Sequence, residues 1–171
     1  MMLVASSEAC LAPRNDSLIA GNAPPRSESK ELKLRIVFQV PCLNEAPRIK
    51  RLLAELPREL SGFDDVLWLV VDDGSSDGTA EAARQAGAHH IVRFHQNRGL
   101  AAAFQVGLRE ALRLGADVIV NIDADNQYAI SSIPDLVAPI LDGVADVVVG
   151  DRRPSQNQEF SWTKRRLQAI G

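Results

Sequence analysis

Residues 66–79 read VLWLVVDDGSSDGT. The apolar run Val66–Val71 has the length and β-branched content of a buried strand. Asp72-Asp73-Gly74 stops it. Asp77 or Thr79 can then cap a short helix that runs to about Gln85, with Ala82, Ala83 and Ala86 on its inner face. A strand, an acidic loop and a helix in direct succession predict a parallel sheet, provided the pattern repeats along the chain.

The pattern repeats on both sides. Upstream, Leu34–Val40 is a β-rich run that stops at Pro41. Pro47 then opens a helical stretch in which Ile49, Leu52, Leu53 and Leu56 recur at i, i+3, i+4 and i+7. Downstream, His90–Phe94 reads as a third strand, Leu100–Leu114 as a long helix ended by Gly115, and Asp117–Ile122 as a fourth strand. A helix over Ile130–Leu141, with Pro134 near its start, and a fifth strand over Val144–Val149 complete the series. The expected architecture is α/β: a mostly parallel, Rossmann-like sheet with helices on both faces. Ligands of such sheets sit beyond the C-terminal strand ends. The residues not suited to a core gather there, at Pro41–Glu45, Asp72–Gly78, Asp123–Gln127 and Gly150–Arg153.

Asp123-Ala124-Asp125 ends the fourth strand, and Gln127 follows two residues on. In an extended segment positions i, i+2 and i+4 face the same way, so Asp123, Asp125 and Gln127 present three oxygen-bearing groups on one side. Hard cations such as Mg²⁺ and Mn²⁺ take oxygen ligands, and Mg²⁺ is held by one or two carboxylates plus substrate phosphates. The pattern points to a metal bridge to a diphosphate.

The other loops are less specific. Gly74, Ser75 and Ser76 are explained by turn chemistry alone. Adjacent carboxylates at a strand end repel, which favours a binding role for Asp73, toward a base N–H or a ribose hydroxyl. Asp72 reads equally well as structural. Asn44-Glu45 starts a helix, where an acidic residue is favourable in any case. Asn97-Arg98-Gly99-Leu100 leads into Ala101-Ala102-Ala103, small residues that let an anion approach a helix N-terminus and are equally good helix formers. Arg152, Arg153 and Lys164-Arg165-Arg166 form a cationic cluster of the kind that usually marks a solvated surface; on the acidic side of the sheet it could instead bind a phosphate. His89, His90 and His95 have no partner at metal-ligand spacing and are read as structural.

Composition bounds the partners. The 171 residues suit one domain, with 46% hydrophobic and 24% charged content and a net charge of −3. That charge gives no case for nucleic acid, which calls for a basic domain. The two cysteines, Cys10 and Cys42, have neither metal spacing nor a disulfide framework, which fits a reducing cytoplasm. No apolar run approaches a membrane span, and no basic start leads into an apolar core. Residues 1–31 are rich in Ser, Pro, Asn and charge, and are expected to be a disordered extension. Residues 32–171 form the expected domain.

Five ordered stretches resemble the family 2 glycosyltransferases with the nucleotide-sugar-binding GT-A fold: VPCLNEA (40–46), VVDDGSSDGT (70–79), NRGLAAAFQVGL (97–108), NIDADNQY (121–128) and VVVGDR (147–152). The likeness is greatest to dolichol-phosphate mannosyltransferase-like and bacterial polyprenyl-phosphate glycosyltransferases. It implies that Pro41, Leu43, Glu45, Val71 and Asp73 hold the nucleoside. Asp123, Ala124, Asp125 and Gln127 then hold the diphosphate with Mg²⁺ or Mn²⁺, and Arg152 and Arg166 hold an acceptor phosphate. The catalytic contribution falls on Asp123, Asp125, Arg152 and Arg166. The implied reaction is inverting transfer of a sugar from a nucleotide-diphosphate donor to a polyprenyl phosphate, by a cytoplasmic protein peripheral to the membrane face where that lipid lies. Family domains continue past the position of Gly171, so the fold is expected to be C-terminally incomplete. The rival implications are a non-catalytic nucleotide-sugar-binding remnant and a transferase with a hydroxyl acceptor. A receiver-type phosphoacceptor domain, which wants its acidic pair after the first strand, fits poorly. Dinucleotide oxidoreductases and nucleotidyltransferases fit poorly too, because Pro41–Glu45 is not a Gly-rich phosphate loop.

Overall fold

The computed structural model describes residues 3–6, 33–124 and 129–150. The elements in chain order are β1 (Leu3–Ser6), β2 (Arg35–Cys42), α1 (Ala46–Glu55), β3 (Asp65–Asp72), α2 (Thr79–Gln85), β4 (His90–Arg93), α3 (Leu100–Arg113) and β5 (Val118–Asn121). A 3₁₀ turn (Ile130–Ser132), α4 (Ile133–Leu141) and β6 (Val147–Val149) follow. They form a sheet of order β4-β3-β2-β5-β1-β6. Strands β4, β3, β2 and β5 run parallel, and β1 is antiparallel to both of its neighbours.

Side-chain alternation along β2 sorts the two layers. Ile36, Phe38 and Val40 join Trp68, Val70, Val118 and Val120 under Ile49, Leu52 and Leu53 of α1, Ala82 and Ala83 of α2, and Ile133 and Val137 of α4. Val37 joins Leu69, Val71 and Ile119 under Ala103 and Ala111 of α3. The i, i+3, i+4 spacing of Ile49, Leu52 and Leu53 therefore faces the sheet as read, with all three fully buried. Truncating Leu52 to Ala would cost about 2–5 kcal/mol, the usual range for a buried leucine.

Three differences from the sequence reading have physical causes. First, β2 passes through Pro41 to Cys42. The Gln39 carbonyl accepts the Ile122 N–H at 2.9 Å, so odd-numbered residues of β2 turn their backbone groups toward β5. The β5 ladder ends at the Gln39↔Asn121 pair. The donor that Pro41 lacks would point where no strand remains. Second, residues 3–6 of the expected disordered extension form β1, a short strand slotted between β5 and β6, because both of those strands offer it a free edge. Residues 7–32 lie outside the described residues. Third, β6 starts at Val147 rather than Val144, because the Val144 and Ala145 N–H groups close the end of α4 on the Pro139 carbonyl at 2.9 and 3.1 Å.

Candidate functional site

The loops after β2 and β3 are sewn together by side chains of the second to amides of the first. Asn44 N–H donates to Ser75 Oγ at 2.9 Å, Glu45 N–H to Thr79 Oγ1 at 2.9 Å, and Ala46 N–H to Asp77 Oδ2 at 3.0 Å. Ser76 N–H donates back to Asn44 Oδ1 at 3.0 Å. Asn44 holds a left-handed backbone (φ 55°) that asparagine tolerates. These bonds satisfy the first amides of α1, which has no cap from its own segment. Ser75, read from sequence as a turn former, and Asp77 and Thr79, read as helix caps, therefore also fix a neighbouring loop.

Asp72 and Asp73 are both buried and do different work. Asp72 Oδ1 accepts the Ser75 N–H at 2.8 Å, and Oδ2 lies 3.4 Å from Arg93 Nε. Its role is structural: it holds the turn and ties β3 to β4. Asp73 faces the loop before α3, with Oδ1 accepting the Arg98 N–H at 2.7 Å and Oδ2 the Gly99 N–H at 2.9 Å. Gly74 (φ +78°) packs so closely that a Cβ there would lie 2.5 Å from the Gln96 carbonyl carbon. This approach lets the second and third loops touch.

A cleft of about 310 Å³ opens at the C-terminal strand ends, lined by Pro41, Cys42, Leu43, Glu45, Asp73, Asn97, Gly99, Leu100, Ala103, Asp123 and Ala124. Pro41, Leu43, Glu45, Asp73, Asp123 and Ala124, singled out from sequence, thus converge on one space. Val71 does not line it; its side chain is fully buried against α3. Asp125, Gln127, Arg152 and Arg166 lie outside the described residues.

The sequence reading placed Leu100 and Ala103 only at a helix N-terminus and did not identify them as wall residues of this cleft. Leu100, the first residue of α3, is 66% exposed, and nothing in its sequence neighbourhood distinguishes it from a core leucine of the helix. Cys42 sits in the floor; burial, then the nearby Asp72, Glu45, Asp77 and Asp73, push its thiol up to about 12, so it stays protonated.

Polarity divides the cleft. Glu45, Asp73 and Asp123 supply carboxylates, whereas Pro41, Leu43, Leu100 and Ala103 supply an apolar wall. Such a site accepts a flat, partly apolar group with hydrogen-bond donors at its edge. Of Asp123, Asp125 and Gln127, the three residues that the sequence suggests for a metal, Asp123 is among the described residues. Two carboxylates and a carboxamide oxygen are donors that fit a hard divalent cation. Among the described residues no three His, Cys, Asp or Glu side chains form a metal-binding group, and no helix is long and apolar enough to cross a membrane.

The family model for glycosyl transferase family 2 matches residues 38–170. The chain is 30% identical over 148 residues to a UDP-N-acetylglucosamine–dolichyl-phosphate N-acetylglucosaminyltransferase of Methanococcus voltae, covering 76% of this chain and 57% of that one. It is 32% identical over 139 residues to an undecaprenyl-phosphate mannosyltransferase of Micrococcus luteus, covering 78% and 55%. Among solved structures, glucosyl-3-phosphoglycerate synthase of Mycobacterium tuberculosis with Mn²⁺, UDP-glucose and phosphoglyceric acid superposes with a TM-score of 0.53 at 28% identity, over 64% of this chain and 40% of that one. The chain spans about half the length of the curated relatives it matches. The fold is of the GT-A type.

Proposed function

The chain belongs to glycosyl transferase family 2, and from that membership we propose that it carries the donor site of an inverting, metal-dependent glycosyltransferase acting on a nucleotide-diphosphate sugar. The observation that carries this reading is the convergence, in one cleft, of Pro41, Leu43 and Glu45 from the first loop, Asp73 from the second and Asp123 from the fourth. The nucleoside lies against the apolar wall, with Asp73 and Glu45 accepting its N–H and O–H groups. The diphosphate lies toward Asp123, Asp125 and Gln127, beside the positive N-terminal end of α3.

In the transfer step an acceptor oxygen attacks the anomeric carbon. A new C–O bond forms there as the bond to the diphosphate oxygen breaks on the opposite face. The nucleoside diphosphate leaves with the electron pair, and the sugar inverts. Asp123, Asp125 and Gln127 would hold a divalent cation, Mg²⁺ or Mn²⁺, which would supply positive charge for the leaving diphosphate. The solved structure with Mn²⁺ and UDP-glucose supports use of a divalent cation. The acceptor is a polyprenyl phosphate, by analogy with the dolichyl- and undecaprenyl-phosphate relatives. Arg152 and Arg166 hold its phosphate, which is already ionised near neutral pH and needs no general base. That acceptor would bring the protein to the cytoplasmic face of a membrane.

Titration calorimetry of UDP and GDP, with Mn²⁺ and with chelator, tests the donor site. The expected result is millimolar-to-micromolar binding that tightens with metal. Equal affinity with and without metal removes the metal role, and no binding of either nucleotide removes the donor site.

A further inference from the structure

Behind the cleft, where β2 meets β5 under α3, lies a polar contact that the donor site does not account for. Gln39 is fully buried on the α3 side of β2, between Val37 and Pro41 in the side-chain alternation. Its Nε2 donates to Asn121 Oδ1 at 3.0 Å and to the Phe104 carbonyl at 3.2 Å. Its Oε1 has no hydrogen-bond partner among the described residues. An unsatisfied buried carbonyl costs stability that an apolar side chain of the same size would not.

α3 also makes room for it. A Cβ on Gly107 would sit 2.6 Å from both Gln39 Cδ and Oε1. A helix interior thus carries a glycine, which helices disfavour, where the amide lies. The same residue holds the end of β5 by its backbone, since the Gln39 carbonyl accepts the Ile122 N–H at 2.9 Å, the last such bond before Asp123. Asn121 is the last residue of β5, two residues before Asp123, so its placement sets where the chain leaves the sheet for the cleft.

We infer that Gln39, acting through Asn121, is a positioning residue that fixes the end of β5 and so the stance of Asp123 in the cleft. An apolar pair at these positions would fill the space without choosing a register. An amide donating to one partner across the strand pair selects it. The inference deepens the proposed function and rests on its assignment of Asp123 to the metal–diphosphate contact.

The test uses the full chain and two variants, with whichever of UDP and GDP binds wild type more tightly. Gln39→Leu removes the amide. Gly107→Ala keeps every polar group and pushes the amide aside. The readout is the ratio of Kd in chelator to Kd in Mn²⁺. For both variants that ratio should fall roughly tenfold or more, as for other residues that orient a metal ligand, while Kd in chelator stays within about twofold. If Gln39→Leu does not fold, Gly107→Ala decides alone. An unchanged ratio in a folded variant overturns the inference and leaves the donor site standing. Equal weakening with and without metal also overturns it, because that is the mark of a merely structural residue. A wild-type chain whose ratio is already one overturns the metal reading and this inference with it.

Discussion

The Asp77 carboxylate accepts the Ala46 N–H at 3.0 Å, across two loops and 31 residues of chain. Its other oxygen accepts the Thr79 N–H at 3.0 Å. Ala46 and Thr79 are the first residues of α1 and α2, so one side chain caps two helices.

Asp77→Ala should therefore cost about 1–2 kcal/mol, toward the upper end of the range for a lost cap, measured by urea unfolding. Nucleoside affinity should fall several-fold, because Glu45 loses its fixed loop. The hydrogen bond from the Thr79 side chain, foremost, lowers the Asp77 carboxyl below its ordinary 3.8. Its contribution is present above the ordinary value of 3.8 and is lost as pH falls through the lower folded value. The wild-type and variant stability curves should converge in acid.

Asp73→Asn should cost about 1.5–3 kcal/mol, the range for hydrogen bonds to a charged group. An amide presents an N–H to one of the two backbone donors that the carboxylate satisfies. Nucleoside binding should weaken equally with and without Mn²⁺. Asp125→Ala should instead remove chiefly the metal-dependent increment. Loss of the same increment in both variants would show that the division of labour is wrong.

His89 Nδ1 accepts the Trp68 backbone N–H at 2.9 Å, which requires an unprotonated ring nitrogen. Burial, with Arg58 and His90 adding, lowers its pKa below the ordinary 6.5. A histidine depressed in the fold contributes stability above its unfolded pKa and loses it as pH falls through the folded value. The urea midpoint of wild type should drop from pH 7.5 to pH 5.5 more steeply than that of His89→Gln. Parallel curves would rule out His89 as the titrating group.

Cys42 in the cleft floor, with its thiol pushed up to about 12, is held as the thiol at pH 8. In a Cys10→Ser background, iodoacetamide should leave the native chain unlabelled over hours and label it fully in denaturant. Rapid native labelling would contradict the buried, protonated thiol.

The alternation of strand and helix was legible because it rests on local periods: two residues for Ile36, Phe38 and Val40, and three to four for Ile49, Leu52 and Leu53. The loop positions of Glu45, Asp73 and Asp123 followed, since chemistry that does not suit a core ends up beyond the strands. Those inferences need only neighbours in sequence. Register and strand order are different, because they are set by contacts between segments far apart. The pairing of Gln39 with Asn121 spans 82 residues, and nothing local to either names the other. The placement of β1 between β5 and β6 likewise depends on two free edges that exist only once the sheet has formed. Asp72 and Asp73 show the division most plainly. The sequence favoured Asp73 for binding and left Asp72 open; the tertiary packing, which turns Asp72 toward Arg93 and Asp73 toward the Arg98 and Gly99 amides, assigned the structural role to Asp72.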